Sequence, residues 1–526
     1  MPEAARKEVT PLKDLFISSD TKSSRERIRA THTQELVFAL CGYMGSNIRA
    51  VSDSIEFVLE NDYGYKCERI KLAKFIELNR GTDSFNAQGS AEYVRVKNLI
   101  EDGNKLRRIY GNEILAELAI QKIGLERLDE AEIVKNEEDK DQYQFRSRKI
   151  CYIIESLKNP DELKILKEVY RNLLYFIGVF SPYRIRHENL RQKEITETEI
   201  AELIDQDTHE ELSHGQDVRD TFTKADYFLR NDSISSTTLQ SKIERFIHLI
   251  FGTEIITPTK DETAMYFASS AAANSACLSR QVGASIVDAN GDIISIGWND
   301  VPCYMGNLYK HQTSSDIHGE KDFRCLSFQD GKCMNDEHKS RISQKLLDDL
   351  LSKNLIKPES KLETLEVIKS SRLGSLIEFS RAIHAEMHAI IIGSQKSGDK
   401  IVGGKLFCTT YPCHNCARHI VLAGIIEVYF IEPYSKSLAT VLHSDSITDD
   451  ENESNKVKIL LYDGVSPNRY MQLFKVNEQS RKNREGRVNK QKQKDASPKY
   501  TETLEALYTL ESTATKNLKD FNLKLN

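Results

Sequence analysis

Apolar positions along the chain fall into short blocks of strand length and longer stretches with helical spacing. Glu35–Leu40 (ELVFAL) is a strand-sized block, followed by a glycine-containing turn over Cys41–Asn47 (CGYMGSN). From there Ile48, Val51, Ile55, Val58 and Leu59 recur as the stripe of an amphipathic helix. Ser90–Ile109 reads as a helix, while Lys149–Ile154, Leu173–Phe180 and Ala225–Leu229 read as strands, and a helical stretch runs on to Phe251. Strand blocks alternating with helices predict a parallel α/β unit over residues 31–252. Gly252–Lys260 (GTEIITPTK) has no helical stripe and marks a boundary. A second α/β unit is expected over 258–475. It opens with an Ala-rich helix, Asp261–Ser279, and a hairpin of Val282–Val287 and Ile293–Trp298. A helix (Leu376–Ile392), a strand (Lys405–Thr409), a helix (Cys413–Leu422) and a strand (Val428–Ile431) follow. Residues 301–378 form a polar insertion with helical pieces such as Ser343–Leu355. Residues 1–30 are a polar arm and residues 476–526 a basic tail.

Composition narrows the class. The 526 residues exceed one domain at roughly 150 residues each. Lys and Arg number 73 against 79 Asp and Glu, a net charge of −6, which excludes a globally basic nucleic-acid coat. Hydrophobic residues at 39% suffice for buried cores. No run approaches the roughly 18 apolar residues of a membrane helix, and Asn172–Phe180 is at most a buried strand. The N-terminal MPEAARKEVTPLKDLF has no apolar core of a secretory signal. Ten cysteines are scattered along the chain, which reads as cytoplasmic thiols and a metal site, not a disulfide framework.

One constellation carries chemistry: His384-Ala385-Glu386 and, downstream, Pro412-Cys413-His414-Asn415-Cys416. H-x-E followed by P-C-x-x-C is the signature of zinc nucleobase deaminases. His384, Cys413 and Cys416 supply three ligands for Zn²⁺ and leave a fourth tetrahedral position to water, whose pKa zinc lowers to about 7. Cysteines three apart at a helix start face one point, and the amides there favour thiolates. Glu386 is the general acid/base. A purely structural site needs a fourth ligand, for which His388, His414 and His419 are the candidates. A helical H-E-x-x-H protease is excluded, because Glu386 follows His384 by two positions.

The chain resembles the deoxycytidylate deaminase branch of the cytidine deaminase superfamily. Beside the metal motif, the resemblance rests on the run Ser279–Val287 (SRQVGASIV), on Ile296-Gly297-Trp298-Asn299, and on Glu432-Pro433-Tyr434-Ser435-Lys436-Ser437. It implies a three-layer α/β/α deaminase domain in which Asn299 binds the deoxyribose and Arg280 helps hold phosphate. An N-terminal P-loop NTPase-like, nucleoside monophosphate kinase-like domain fused to such a deaminase resembles the bacterial anti-phage dCTP deaminases. That resemblance runs through 101–107 (EDGNKLR), 155–160 (ESLKNP) and 214–219 (HGQDVR). It implies conversion of dCTP and dCMP to deoxyuridine nucleotides, an inhibitory RNA in some members, and a homo-oligomer.

Counted from Gly42, a Walker A motif would place Gly, Lys and Ser/Thr where Asn47, Ile48 and Arg49 stand. Phosphoryl transfer is therefore not expected. Gly42, Gly45, Ser46 and Arg49 make at most a weak site for a nucleotide effector on loop amides at a helix N-terminus. Cys303, Cys325 and Cys333, with His311, His318 or His338, are candidates for a second zinc or are free thiols and surface imidazoles. The basic run 481–499 lacks stacking aromatics and reads as a solvated face. The rival function is a polynucleotide deaminase acting on tRNA or single-stranded DNA, which requires a basic, aromatic-lined channel.

Overall fold

The computed structural model describes residues 23–81, 88–135, 141–209, 215–232, 236–311, 322–434, 437–475, 482, 485–488 and 491–525. The chain divides into two compact units. The first comprises 1–225, 229–256 and 476–526, and the second 226–228 and 257–475.

In the first unit four parallel strands form β1 (Leu36–Gly42), β2 (Lys66–Lys71), β3 (Ile150–Glu155) and β4 (Leu174–Phe180). Their order is β4-β1-β3-β2, with Val37 beside both Tyr152 and Leu174. Every residue of β1, β3 and β4 is buried, which is why these strands read as unbroken apolar blocks. Lys66–Lys71 is polar and half-buried along most of its length, with only its two end lysines exposed. The stripe read from Ile48 is the helix Ile48–Val58, which buries Val51, Ile55 and Val58. The helix expected over Ser90–Ile109 spans Ala91–Tyr110, and the block Ala225–Leu229 gives the strand Tyr227–Arg230. Ile114–Asp129 is a further buried helix that the sequence reading did not mark.

Part of the C-terminal segment completes this unit. Thr33 N–H donates to Glu502 O (2.9 Å) and Leu504 N–H to Thr31 O (3.0 Å). The helix Leu504–Ala514 then buries Leu504, Leu507 and Glu511. Buried Arg127 pairs with both Glu35 and Glu511, and Glu35 also accepts from Arg148 at 2.8 Å. Of the polar arm, residues 1–22 lie outside the described residues, and Ser24–Ala30 is an exposed helix closed by a Ser23/Glu26 capping box.

The second unit opens with the helix Lys260–Ala272 and the antiparallel hairpin β5 (Gly283–Val287) and β6 (Ile293–Trp298). Then come β7 (Lys405–Thr410), β8 (Glu427–Glu432), β9 (Ile447–Thr448) and β10 (Val457–Leu461). The sheet order is β9-β10-β8-β7-β5-β6, with β7, β8, β10 and β9 parallel and β5 antiparallel to β7. The insertion carries the helices Met334–Ser352 and Lys361–Ser370, which pack on each other. Both units are α/β with sheets rich in parallel pairs. Among the described residues, no helix is long and apolar enough to cross a membrane.

The helix expected over Leu376–Ile392 begins only at Ala385 and runs to Ser397. Ahead of it, Ile383 N–H donates to Asp300 O (2.9 Å) in a short antiparallel bridge. That long-range pairing holds the residues before His384 extended.

Candidate active site

The two halves of the motif sit at two helix starts in the second unit. His384 is the N-cap of Ala385–Ser397, and Cys413 the N-cap of His414–Leu422, both with extended backbone. β7 delivers Cys413 through Tyr411 and Pro412, and Tyr411 N–H is anchored on Glu432 O (2.8 Å) at the end of β8. The ligand atoms of His384, Cys413 and Cys416 lie within 4.8 Å of one another. His384 Nδ1 stands 3.2 Å from Cys416 Sγ and 3.3 Å from Cys413 Sγ.

The charge pattern follows from this proximity. Hydrogen bonding from Cys416 and then from His384 draws the Cys413 thiol down to about 4, against the cost of burial. The same contact with Cys413 holds the His384 imidazole up at about 9, and the Cys416 thiol is pushed well up. Glu386 is buried on the first helical turn, and desolvation raises its carboxyl above the ordinary range.

One imidazole and two thiols converging at this spacing fit a zinc ion, whose bonds to S and N are about 2.3 and 2.1 Å. Among the described residues no fourth ligand joins them. His388 Nδ1 accepts from Trp298 N–H (3.2 Å), and its Nε2 faces Asn307 Oδ1 at 3.1 Å, so its ring serves as the neutral Nε2–H form. His419 Nδ1 donates to Asn415 O (2.7 Å). His414 is not in the cluster.

Close packing positions the glutamate. A Cβ on Gly297 of β6 would come within 2.4 Å of Ala389 N and 2.5 Å of Ala385 O, so strand and helix touch backbone to backbone here. Asn299, just beyond, is buried. Its Nδ2 donates to Arg280 O (2.8 Å), and its Oδ1 accepts from Val282 N–H (2.7 Å). It pins the segment carrying Arg280, and one hydrogen of Nδ2 and one lone pair of Oδ1 are left for a further contact.

Arg280 is half exposed and pairs with Glu432 at 3.1 Å, and Glu432 also accepts from Thr410 Oγ1 (3.2 Å). Thr410 and Glu432 are register partners at the carboxyl ends of β7 and β8, where α/β sheets place their ligands. Tyr434, assigned no role from sequence, lies within electrostatic reach of Cys413 and Arg280. Ser437 Oγ ties the same loop to Pro412 O (2.8 Å). The signal for these residues was the segment beginning at Glu432, where β8 ends. Ser435 and Lys436 of that segment lie outside the described residues.

The candidate second metal site does not assemble among the described residues. Cys303 Sγ is bonded to Gly306 O (2.9 Å), Cys333 contacts Ser279, and His338 stacks on Phe379. His318 lies outside the described residues.

In the first unit, Gly42 ends β1 and the turn after it holds Gly45 and Ser46, with Arg49 exposed on the helix that follows. Gly45 has φ +85°, and a Cβ there would meet Arg186 O at 2.6 Å. An internal anion occupies the turn's amide: Asp207 accepts from Met44 N–H (2.6 Å) and from Lys158 Nζ (3.1 Å), which also donates to Gly42 O (2.9 Å). The Ser46 hydroxyl is buried and has no partner among the described residues.

Residues 258–432 match the model of the cytidine and deoxycytidylate deaminase zinc-binding region. Over these residues the chain is similar to the dCMP/cytidine deaminase family. The deoxycytidylate deaminase of Enterobacteria phage T2 is 28% identical over 190 residues, covering 34% of this chain and 82% of that one. ComE operon protein 2 of Bacillus subtilis (strain 168) is 46% identical over 55 residues, 10% of this chain and 29% of that one. The structure of dCMP deaminase from the cyanophage S-TIM5 in apo form aligns at 21% identity and a TM-score of 0.21, over 39% of this chain and all of that one.

Proposed function

We propose that the second unit is a zinc-dependent hydrolase that deaminates deoxycytidine nucleotides, taking dCTP and dCMP to dUTP and dUMP. The observation that carries this reading is the convergence of His384, Cys413 and Cys416 beside the buried Glu386. A zinc ion held by the three residues supplies Lewis acidity that lowers the pKa of water. Glu386 moves the protons: it takes one from the attacking water and delivers it to N3 as the water oxygen bonds to C4. It then transfers the remaining hydroxyl proton to the 4-amino group, the C4–N bond breaks, and ammonia leaves a uracil ring. A carboxyl whose burial raises its pKa suits a group that must both accept and return a proton.

Asn299 and Arg280 are assigned to the sugar and the phosphate. The spare valences of the Asn299 amide suit a hydroxyl, and the guanidinium is free to exchange Glu432 for a phosphate oxygen. Drawing down dCTP in an infected cell starves phage DNA synthesis, the role suggested by the two-unit arrangement and its resemblance to the anti-phage dCTP deaminases.

Ammonia release from dCTP, dCMP, CTP and dATP tests the reading, and no turnover of either deoxycytidine nucleotide overturns it. Glu386→Ala is expected to keep its zinc by elemental analysis and to lose turnover by about 10²–10⁴-fold.

A further inference from the structure

Cys67 and Cys151 are register partners on adjacent parallel strands, β2 and β3, of the first unit. Residues paired this way project from the same face of the sheet, and the Cys67 side chain is near enough to Cys151 to help hold its thiol up. The two differ in access. β2 is the edge strand and Cys67 on it is partly exposed, whereas Cys151 is fully buried.

We propose that Cys67 and Cys151 form a reversible, peroxide-driven disulfide that staples the edge strand β2 to β3. Cys67, within reach of solvent, attacks one oxygen of hydrogen peroxide. The O–O bond breaks, water leaves, and Cys67 becomes a sulfenic acid. The Cys151 sulfur then attacks Cys67 Sγ, the S–O bond breaks, a second water leaves, and the S–S bond forms. Two thiols are oxidised and one peroxide is reduced to two waters. Burial and the nearby Glu56 keep Cys151 a thiol, so it acts as the resolving partner and not as the first to meet oxidant.

Strand spacing explains why this bond is a switch and not a permanent link. Adjacent strands lie about 4.8 Å apart, which is within the range a disulfide tolerates but short of its preferred Cα separation of roughly 5.5–6 Å. A compressed disulfide is more easily reduced than a relaxed one. The pair therefore stands reduced under ordinary thiol conditions and closes under oxidant. Closure links positions 67 and 151 and restrains the helices between them.

The test uses the full-length, zinc-loaded chain, reduced, freed of thiol, exposed to hydrogen peroxide, then alkylated under denaturing conditions and digested. The expected product is a peptide pair joined through Cys67 and Cys151, about 2 Da lighter than the two thiol peptides and absent after dithiothreitol. The oxidised chain is expected to melt at a higher temperature than the reduced chain, a difference abolished in Cys67→Ser, which alters a partly exposed position and spares the core. Full alkylation of Cys151 alongside sulfenic or sulfinic acid at Cys67 overturns the proposal, as does linkage of Cys67 to any other cysteine. The readout is independent of deaminase turnover, so its failure leaves the proposed reaction untouched.

Discussion

A carboxylate on the first turn of a helix ordinarily ionises readily, because the helix N-terminus favours negative charge. Glu386 occupies such a turn, yet burial outweighs the helix and its neighbour His384 and raises the carboxyl. Arg280 is half exposed and already paired with Glu432. Arg280→Ala is expected to raise KM for dCMP about ten- to a hundredfold, the range of a lost charge-assisted hydrogen bond, with kcat little changed. Steady-state kinetics decide it, and an equal fall in kcat would assign Arg280 to the transition state instead. At this scale the sequence was most informative where the spacing is local. That Cys413 and Cys416 share a helix start follows from three residues of separation. That Glu432 holds Arg280, or that Asp207 reaches Met44, depends on contacts more than a hundred residues apart that no local pattern encodes.

The elements themselves were legible where burial is one-sided or complete. The Ile48 stripe and the apolar strands β1, β3 and β4 follow directly from hydrophobic period. Ile114–Asp129 was missed because buried residues fall on most of its faces and leave no stripe. The start of the Glu386 helix was misplaced because the bridge from Asp300 to Ile383 fixes it. That helix tolerates no added bulk where β6 meets it. Gly297→Ala is expected to destabilise the chain by about 1–3 kcal/mol, the usual cost of overpacking. It should also lower kcat by displacing Glu386, and thermal unfolding with kinetics reads both. In the first unit, amides of Ser90 and then Thr196 pull the Glu199 carboxyl from 4.5 down to about 2. The folded value lies below the unfolded one, so these bonds contribute stability above the ordinary carboxylate pKa and lose it as the pH falls toward 2. Glu199→Gln is expected to flatten the loss of stability over roughly pH 5 to 2, measured as the urea midpoint at each pH.

At the scale of the whole chain, the first unit is discontinuous: residues 476–526 belong with 1–225 and 229–256, although more than two hundred residues of the second unit intervene. The pivot is Arg127, buried between Glu35 near the start of the chain and Glu511 near its end. Arg127→Met leaves the buried Glu511 without its cation and Glu35 with Arg148 alone, and is expected to cost about 3–5 kcal/mol in urea unfolding of the intact protein. Sequence periodicity marked two α/β units but gave no sign of this return, because the strands and helices of a unit look the same whether or not the last helix comes back to it. The arrangement also sets a timetable during translation. The guanidinium of Arg127 leaves the ribosome long before its second carboxylate does, and the whole second unit is synthesised in the interval. An assembly that waits for the helix carrying Glu511 is still open when residues 257–475 have all been made, so the newborn chain can bring His384, Cys413 and Cys416 together before its other unit is sealed.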